Sequence, residues 1–198
     1  LSPAGASFPL GDLPLNLEVS HSGQFIAVTN NGQGTQSIEL VDVQRQQKID
    51  SVVIDKSWYG LQFSADDRFL YVSGGHNNQI VKYELKNGKL ALVDSIVLGK
   101  PWPERIGPAG IAIDDKRQQL YVVTRENKQL YVIDLKTKQI IRQLGLEAEG
   151  YACKISRDFS ELFVSCWGCD QVLVLDLDRY NWKTPVPVGD NPNEMLLT

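Results

Sequence analysis

The chain has 198 residues, 42% of them apolar and 22% charged, which is long enough and apolar enough to bury a core. A net charge of −4 and an isoelectric point near 5.2 disfavour nucleic acid or an anionic membrane as partner, since either needs clustered Lys and Arg and the 20 basic residues here are scattered. No apolar run approaches the roughly 20 residues that span a bilayer, no charged stretch followed by an apolar one opens the chain, and three cysteines cannot all pair with one another.

In chain order, residues 9–17 align with residues 187–195 at a constant offset of 178. Residues 185–189 fall where the outer strand of a repeat unit belongs, so residues 7–11 are expected to be the outer strand of a preceding blade. The pattern of residues 14–20 then recurs at 58–64, 108–114, 150–156 and 192–198. Its closing residues Ser20, Ser64, Asp114, Ser156 and Thr198 lie 44, 50, 42 and 42 positions apart, which is the spacing of propeller blades. An acid ending an apolar run keeps the same rhythm at Asp42, Glu84, Asp134 and Asp176. Equal placement in every unit makes these four turn-forming acids rather than a ring of active carboxylates.

Each unit resolves into four short runs rich in β-branched and aromatic residues, for example 60–64, 69–73, 79–85 and 90–98, and none has helical periodicity. Such strands cannot bury both faces of a sheet alone, so consecutive sheets must stack about an axis. The expected fold is all-β: a β-propeller of four-stranded antiparallel blades at about 14–54, 58–98, 108–146 and 150–189, with the start of a fifth at 192–198, together forming one partial propeller domain over 1–198. Four blades leave open edges. Further blades of the same protein, or self-association through those edges, are expected to cover them.

The strand motifs Ala27-Val28-Thr29-Asn30, Tyr71-Val72-Ser73-Gly74, Tyr121-Val122-Val123-Thr124 and Phe163-Val164-Ser165-Cys166 resemble the YVTN repeat, a WD40-like repeat of surface-layer-type and lactonase-type seven-bladed propellers. With the opening residues 9–16, they are similar to bacterial proteins that join such a propeller to a C-terminal alkaline-phosphatase-type phosphoesterase. The resemblance implies about four blades of a seven-bladed ring and an extracytoplasmic location, periplasmic or cell-surface. It also places any hydrolytic metal site in a second domain outside this chain.

In a propeller the d-to-a and b-to-c connections share one face. Here that face gathers Asn30, Asn31, Trp58, Tyr59, His76, Trp102, Glu104, Arg105, Arg125, Tyr151, Trp167, Asn193 and Glu194, whereas the other face gathers mostly polar turns. Aromatics among convergent polar groups are what a binding site needs. The leading expectation is a non-catalytic recognition or scaffold module, presenting this face to a small molecule, a glycan or an attached phosphoesterase domain. The alternative is a lactonase-type hydrolase using His76, Glu104 and Arg125 as its catalytic groups. No cofactor and no metal are expected: Cys166-Trp167-Gly168-Cys169 has CxxC spacing, but Asp170 stands where haem attachment needs His, and Cys153 is the only obvious third ligand for zinc. A structural role or an opportunistic disulfide is the favoured reading of these cysteines.

Overall fold

A computed structural model of the chain describes residue 7 and residues 9–197. Four antiparallel sheets follow one another along the sequence, each a meander in which neighbouring strands are consecutive. The first blade is β1 (Pro14–Val19), β2 (Phe25–Asn30), β3 (Ser37–Asp42) and β4 (Gln47–Val53). The second is β5 (Leu61–Phe63), β6 (Phe69–Ser73), β7 (Gln79–Lys86) and β8 (Lys89–Val97), and the third is β9 (Pro108–Asp114), β10 (Gln119–Thr124), β11 (Gln129–Asp134) and β12 (Ile140–Gly145). The fourth has β13 (Glu149–Ile155), β14 (Glu161–Trp167) and β15 (Gln171–Asp176), with β16 (Asn181–Trp182) and β17 (Val186–Pro187) both pairing with β15. These are four blades of a β-propeller, with a single short 3-10 turn at Gly75–Asn77 among the described residues.

Two of the expected strands differ. Residues 9–11 belong to no sheet, and Phe8 lies outside the described residues. Residues 192–197 form no strand either, and Thr198 lies outside the described residues. The Ser165 hydroxyl nevertheless donates to the Asn193 carbonyl at 2.5 Å, as the Ser73 hydroxyl donates to the Pro108 carbonyl at 2.5 Å at the start of the third blade. The segment from Asn193 thus begins where a following inner strand would begin.

Alternation along the second strands builds the core, because successive side chains leave a strand on opposite faces. Leu70 and Val72 enter the apolar cluster shared by the first and second blades, while Tyr71 between them enters the cluster shared by the second and third. One blade later, Leu120 and Val122 join that middle cluster, and Tyr121 and Val123 face the fourth blade. Valine, leucine and tyrosine at every position of these strands are therefore required: both faces are interior.

The inner strands come close because small residues sit where they meet. A Cβ on Gly60 would lie 2.1 Å from the Ala109 carbonyl oxygen, and one on Gly110 would lie 2.6 Å from Ala152 Cα. The first blade carries Asn16 at the equivalent position, and its side chain donates to the Tyr59 carbonyl at 2.8 Å.

The polar turns between first and second strands all pass through the left-handed region, at Gly23, Asp67, Gln118 and Phe159 (φ 70°, 56°, 54° and 64°). Asp67 repays that strain, since its carboxylate accepts from the backbone N–H groups of His21 (2.7 Å) and Ser22 (2.8 Å) in the preceding blade. Partial burial works to raise its pKa, but the bonds from Ser22 and His21 outweigh it and hold the carboxyl below its ordinary value. A depressed folded-state pKa contributes stability that is present above the unfolded value and lost as pH falls through the folded one. Asp67→Asn, which keeps one acceptor, is expected to cost roughly 1 kcal/mol at neutral pH and to flatten the loss of stability below about pH 4. Urea midpoints measured from pH 7 down to pH 2 check both; parallel curves for the two proteins would count against it.

Candidate functional site

Three of the turn acids close their own hairpins. The carboxylates of Asp42, Asp134 and Asp176 accept from backbone N–H groups two or three residues ahead, and the turn after Glu84 is instead made by Asn87 and Gly88, both at positive φ. Three of the four expected turn acids are thus committed to their hairpins, whereas Glu84 accepts no such bond among the described residues.

The chemistry collects on the face carrying the d-to-a and b-to-c loops. A cavity of about 300 Å³ opens there, lined by Asn31, Gln36, Lys56, Ser57, Trp58, Gly75, His76, Gly107, Pro108, Arg125 and Glu126. Gln36 closes one wall by accepting from the Ser57 backbone N–H at 2.8 Å. His76 comes from the short 3-10 turn after β6, and Arg125 and Glu126 from the loop after β10. His76 Nε2 lies 3.1 Å from Glu126 Oε1. The Arg125 guanidinium is 4.6 Å from the Trp58 ring and 6.0 Å from the Trp167 ring, with its Nε 3.4 Å from Glu149. Beside it runs an aromatic row, Tyr59 to Tyr151 at 4.6 Å and Tyr151 to Trp167 at 5.6 Å between ring centres. Burial raises the Tyr151 pKa, with Arg125 opposing.

Two polar atoms of the lining residues are buried and have no partner, Glu126 Oε2 and Trp58 Nε1; the Tyr59 hydroxyl and Asn30 Oδ1, on residues next in sequence to lining ones, are likewise buried and unpartnered. Unpaired buried polar atoms cost stability, and a fold retains them where something else completes them. A larger cavity of about 840 Å³ lies on the opposite face, and among the described residues none of those lining it holds a buried polar atom without a partner. Glu18 accepts from Gln62 at 2.9 Å and Lys154 pairs with Glu194 at 3.6 Å. Burial raises the Glu18 pKa, Lys154 and His21 oppose it, and Glu194 adds to it. Size favours that cavity; unsatisfied hydrogen-bonding capacity favours the smaller one, and we take the latter as the site.

Of the residues nominated from sequence, His76, Arg125, Trp58 and Asn31 line the cavity, while Tyr59, Tyr151 and Trp167 flank it. Trp102 packs on the His76 ring at 5.9 Å and Arg105 lies over Trp102 at 4.8 Å. Asn30 is buried beside the cavity, its amide donating to Ser37, and Asn193 accepts from the Trp167 indole at 2.8 Å. Glu194 points to Lys154 instead. Glu104 does not join His76 and Arg125; its carboxylate folds back on the Lys100 backbone N–H at 2.6 Å. Glu126 was the omission. It follows Arg125 directly, but its pairing with a histidine 50 positions earlier leaves no local pattern in the sequence.

All three cysteines are free, and burial pushes the Cys153 and Cys166 thiols up to about 12. Cys169 lies against the carbonyls of Cys166 and Gln171. Among the described residues, no group of three or more His, Cys, Asp or Glu is placed to hold a metal ion.

The family model for glutamine cyclotransferase matches residues 24–196, nearly the whole propeller. The chain belongs to the glutamine cyclotransferase family. This overturns the resemblance to YVTN-repeat, surface-layer and phosphoesterase-associated proteins. The strand motifs behind it record alternating packing into two interiors, a requirement common to blades of many families. It also overturns the expectation of a non-catalytic scaffold and its lactonase alternative, since the family is one of enzymes of another kind. No curated protein matches the chain in sequence. Among solved structures, the hydrazine synthase of Kuenenia stuttgartiensis is 18% identical with a TM-score of 0.69, over 95% of this chain and 53% of that one. A functionally unknown protein from Desulfotomaculum acetoxidans is 12% identical with a TM-score of 0.75, over 91% of this chain and 57% of that one. At these identities the likeness is one of fold, and the chain spans little more than half the length of either.

Proposed function

We propose that the mouth cavity is the site at which the protein cyclises a glutaminyl group. In that reaction the α-amine attacks the carbon of its own side-chain carboxamide. A five-membered lactam forms, the carbon–nitrogen bond of the carboxamide breaks, and ammonia leaves. The step needs a base for the proton of the attacking amine, donors at the carbonyl oxygen while it carries charge, and an acid for the departing nitrogen.

The cavity offers each. Glu126 Oε2 is the base, held in place because Oε1 is engaged by His76. The His76 ring, bonded to the same carboxylate, returns a proton to the leaving nitrogen. Trp58 Nε1 and the Arg125 guanidinium supply N–H donors for the carbonyl oxygen, and the neighbouring rings limit water. The observation that carries this reading is one cavity holding a buried, unpartnered acceptor and a buried, unpartnered donor beside a histidine–carboxylate pair. Membership in the cyclotransferase family supports it.

The test is ammonia release from peptides beginning with glutamine. Glu126→Gln is expected to lower kcat by about a hundredfold or more with an unchanged melting temperature. Full turnover in that variant, or no ammonia from the parent protein, would sink the proposal.

A further inference from the structure

Resting on the cyclotransferase reading, we propose that residues 100–107 form a selectivity loop that reads the residue after the reacting glutaminyl group and favours an acidic side chain there.

The loop is fixed rather than loose. Asn78, only 1% exposed and at φ 51°, spends its whole side chain on it. Its amide donates to the carbonyls of Lys100 (2.6 Å) and Glu104 (2.8 Å), and its oxygen accepts from the N–H groups of Ile106 (3.3 Å) and Gly107 (3.1 Å). The Trp102 N–H adds a bond to the His76 carbonyl at 3.2 Å. This anchoring holds Trp102, still 57% exposed, with its ring 5.9 Å from the His76 ring of the proposed dyad.

Arg105 then lies over Trp102 at 4.8 Å and, among the described residues, makes no ion pair. A guanidinium stacked on an indole keeps its N–H edge free, in the fork geometry that suits a carboxylate. Lys56, on the cavity wall, is likewise without an ion pair among the described residues. A cavity of about 300 Å³ has room for the glutaminyl group. The next residue, advanced by about 3.5 Å along the backbone, extends toward Lys56 on the wall and toward Trp102 and Arg105, which stack outward from the lining residue His76. An acidic side chain is attracted there, and a basic one repelled.

The experiment compares three otherwise identical peptides, Gln-Glu, Gln-Ala and Gln-Lys, by kcat/KM in the parent protein and by Kd in the Glu126→Gln variant. The expected preference for Gln-Glu over Gln-Lys is about tenfold at low salt and shrinks as salt is added. Arg105→Glu reverses the order, and Asn78→Ser, which frees the loop, reduces the preference in a protein that still unfolds cooperatively. Equal values for the three peptides, or a preference untouched by Arg105→Glu, overturn the loop's role whether or not ammonia is released. Charge-selective, Arg105-dependent binding without turnover supports the loop's role and sinks the cyclotransferase reading instead.

Discussion

Gly110→Val is expected to lower stability by about 3 kcal/mol, a fall of roughly 10 °C in melting temperature for a chain of this size. Gly110 lies where β9 meets β13, and a Cβ there would sit 2.6 Å from Ala152 Cα and 2.7 Å from the Tyr151 carbonyl oxygen. Both are backbone atoms, so relief requires moving one inner strand away from the next. That separation would open the apolar cluster shared by the third and fourth blades, in which Ala109, Ala112 and Cys153 are packed. Gly145 provides the contrast: nothing lies within 4 Å of its Cβ position, and Gly145→Ala should change stability by less than about 1 kcal/mol. Calorimetry of both variants decides the matter. Similar melting temperatures for the two would mean that close approach of the inner strands is not what Gly110 provides.

Asp114→Ala is expected to cost about 3 kcal/mol. The Asp114 carboxylate is fully buried and accepts from the Arg117 backbone N–H at 2.9 Å and from its guanidinium at 2.8 Å. The same guanidinium nitrogen donates to the Phe159 carbonyl at 2.8 Å, and the other pairs with Asp178, so Arg117 ties the third blade to the fourth. Removing Asp114 leaves a partly buried cation with one less partner and an unmet N–H at the turn. Adding Arg117→Met to Asp114→Ala should recover part of the loss, because the uncompensated charge goes with it. Denaturant midpoints for the two single variants and the double variant test this. A double variant as unstable as the sum of the two singles would argue that Asp114 and Arg117 act independently.

The blade order was legible in the sequence because the fold demands a repeat: every second strand must feed two interiors, and Tyr71 with its neighbours Leu70 and Val72 shows that demand in three residues. The same demand misled the family reading, since alternation of this kind is shared by unrelated propellers. Assigning loops to faces by connection type brought His76, Arg125 and Trp58 to one cavity. It could not say that Glu104 turns back on its own loop while Glu126 turns towards His76. Both outcomes depend on side-chain direction within loops, where neither period 2 nor period 3.6 operates. The outer strand at 7–11 and the opening strand of a fifth blade at 192–198 were inferred from repeat alignment alone; Val186–Pro187 does pair with β15, but the alignment supplies no pairing partner for the other two segments.

No blade owns a hydrophobic core. Each of the three apolar clusters draws on two sheets, and the middle sheets each divide their side chains between two clusters. Excising the second or third blade would therefore strip the inward surface from survivors on both sides, so loss of order at one position travels along the row. The mouth cavity inherits this coupling: Trp58 comes from the second blade, Arg125 and Glu126 from the third, and the row of rings beside them ends on the fourth. Heat or denaturant should consequently erase the cavity together with the whole stack, leaving no temperature at which the scaffold stands and the mouth has melted.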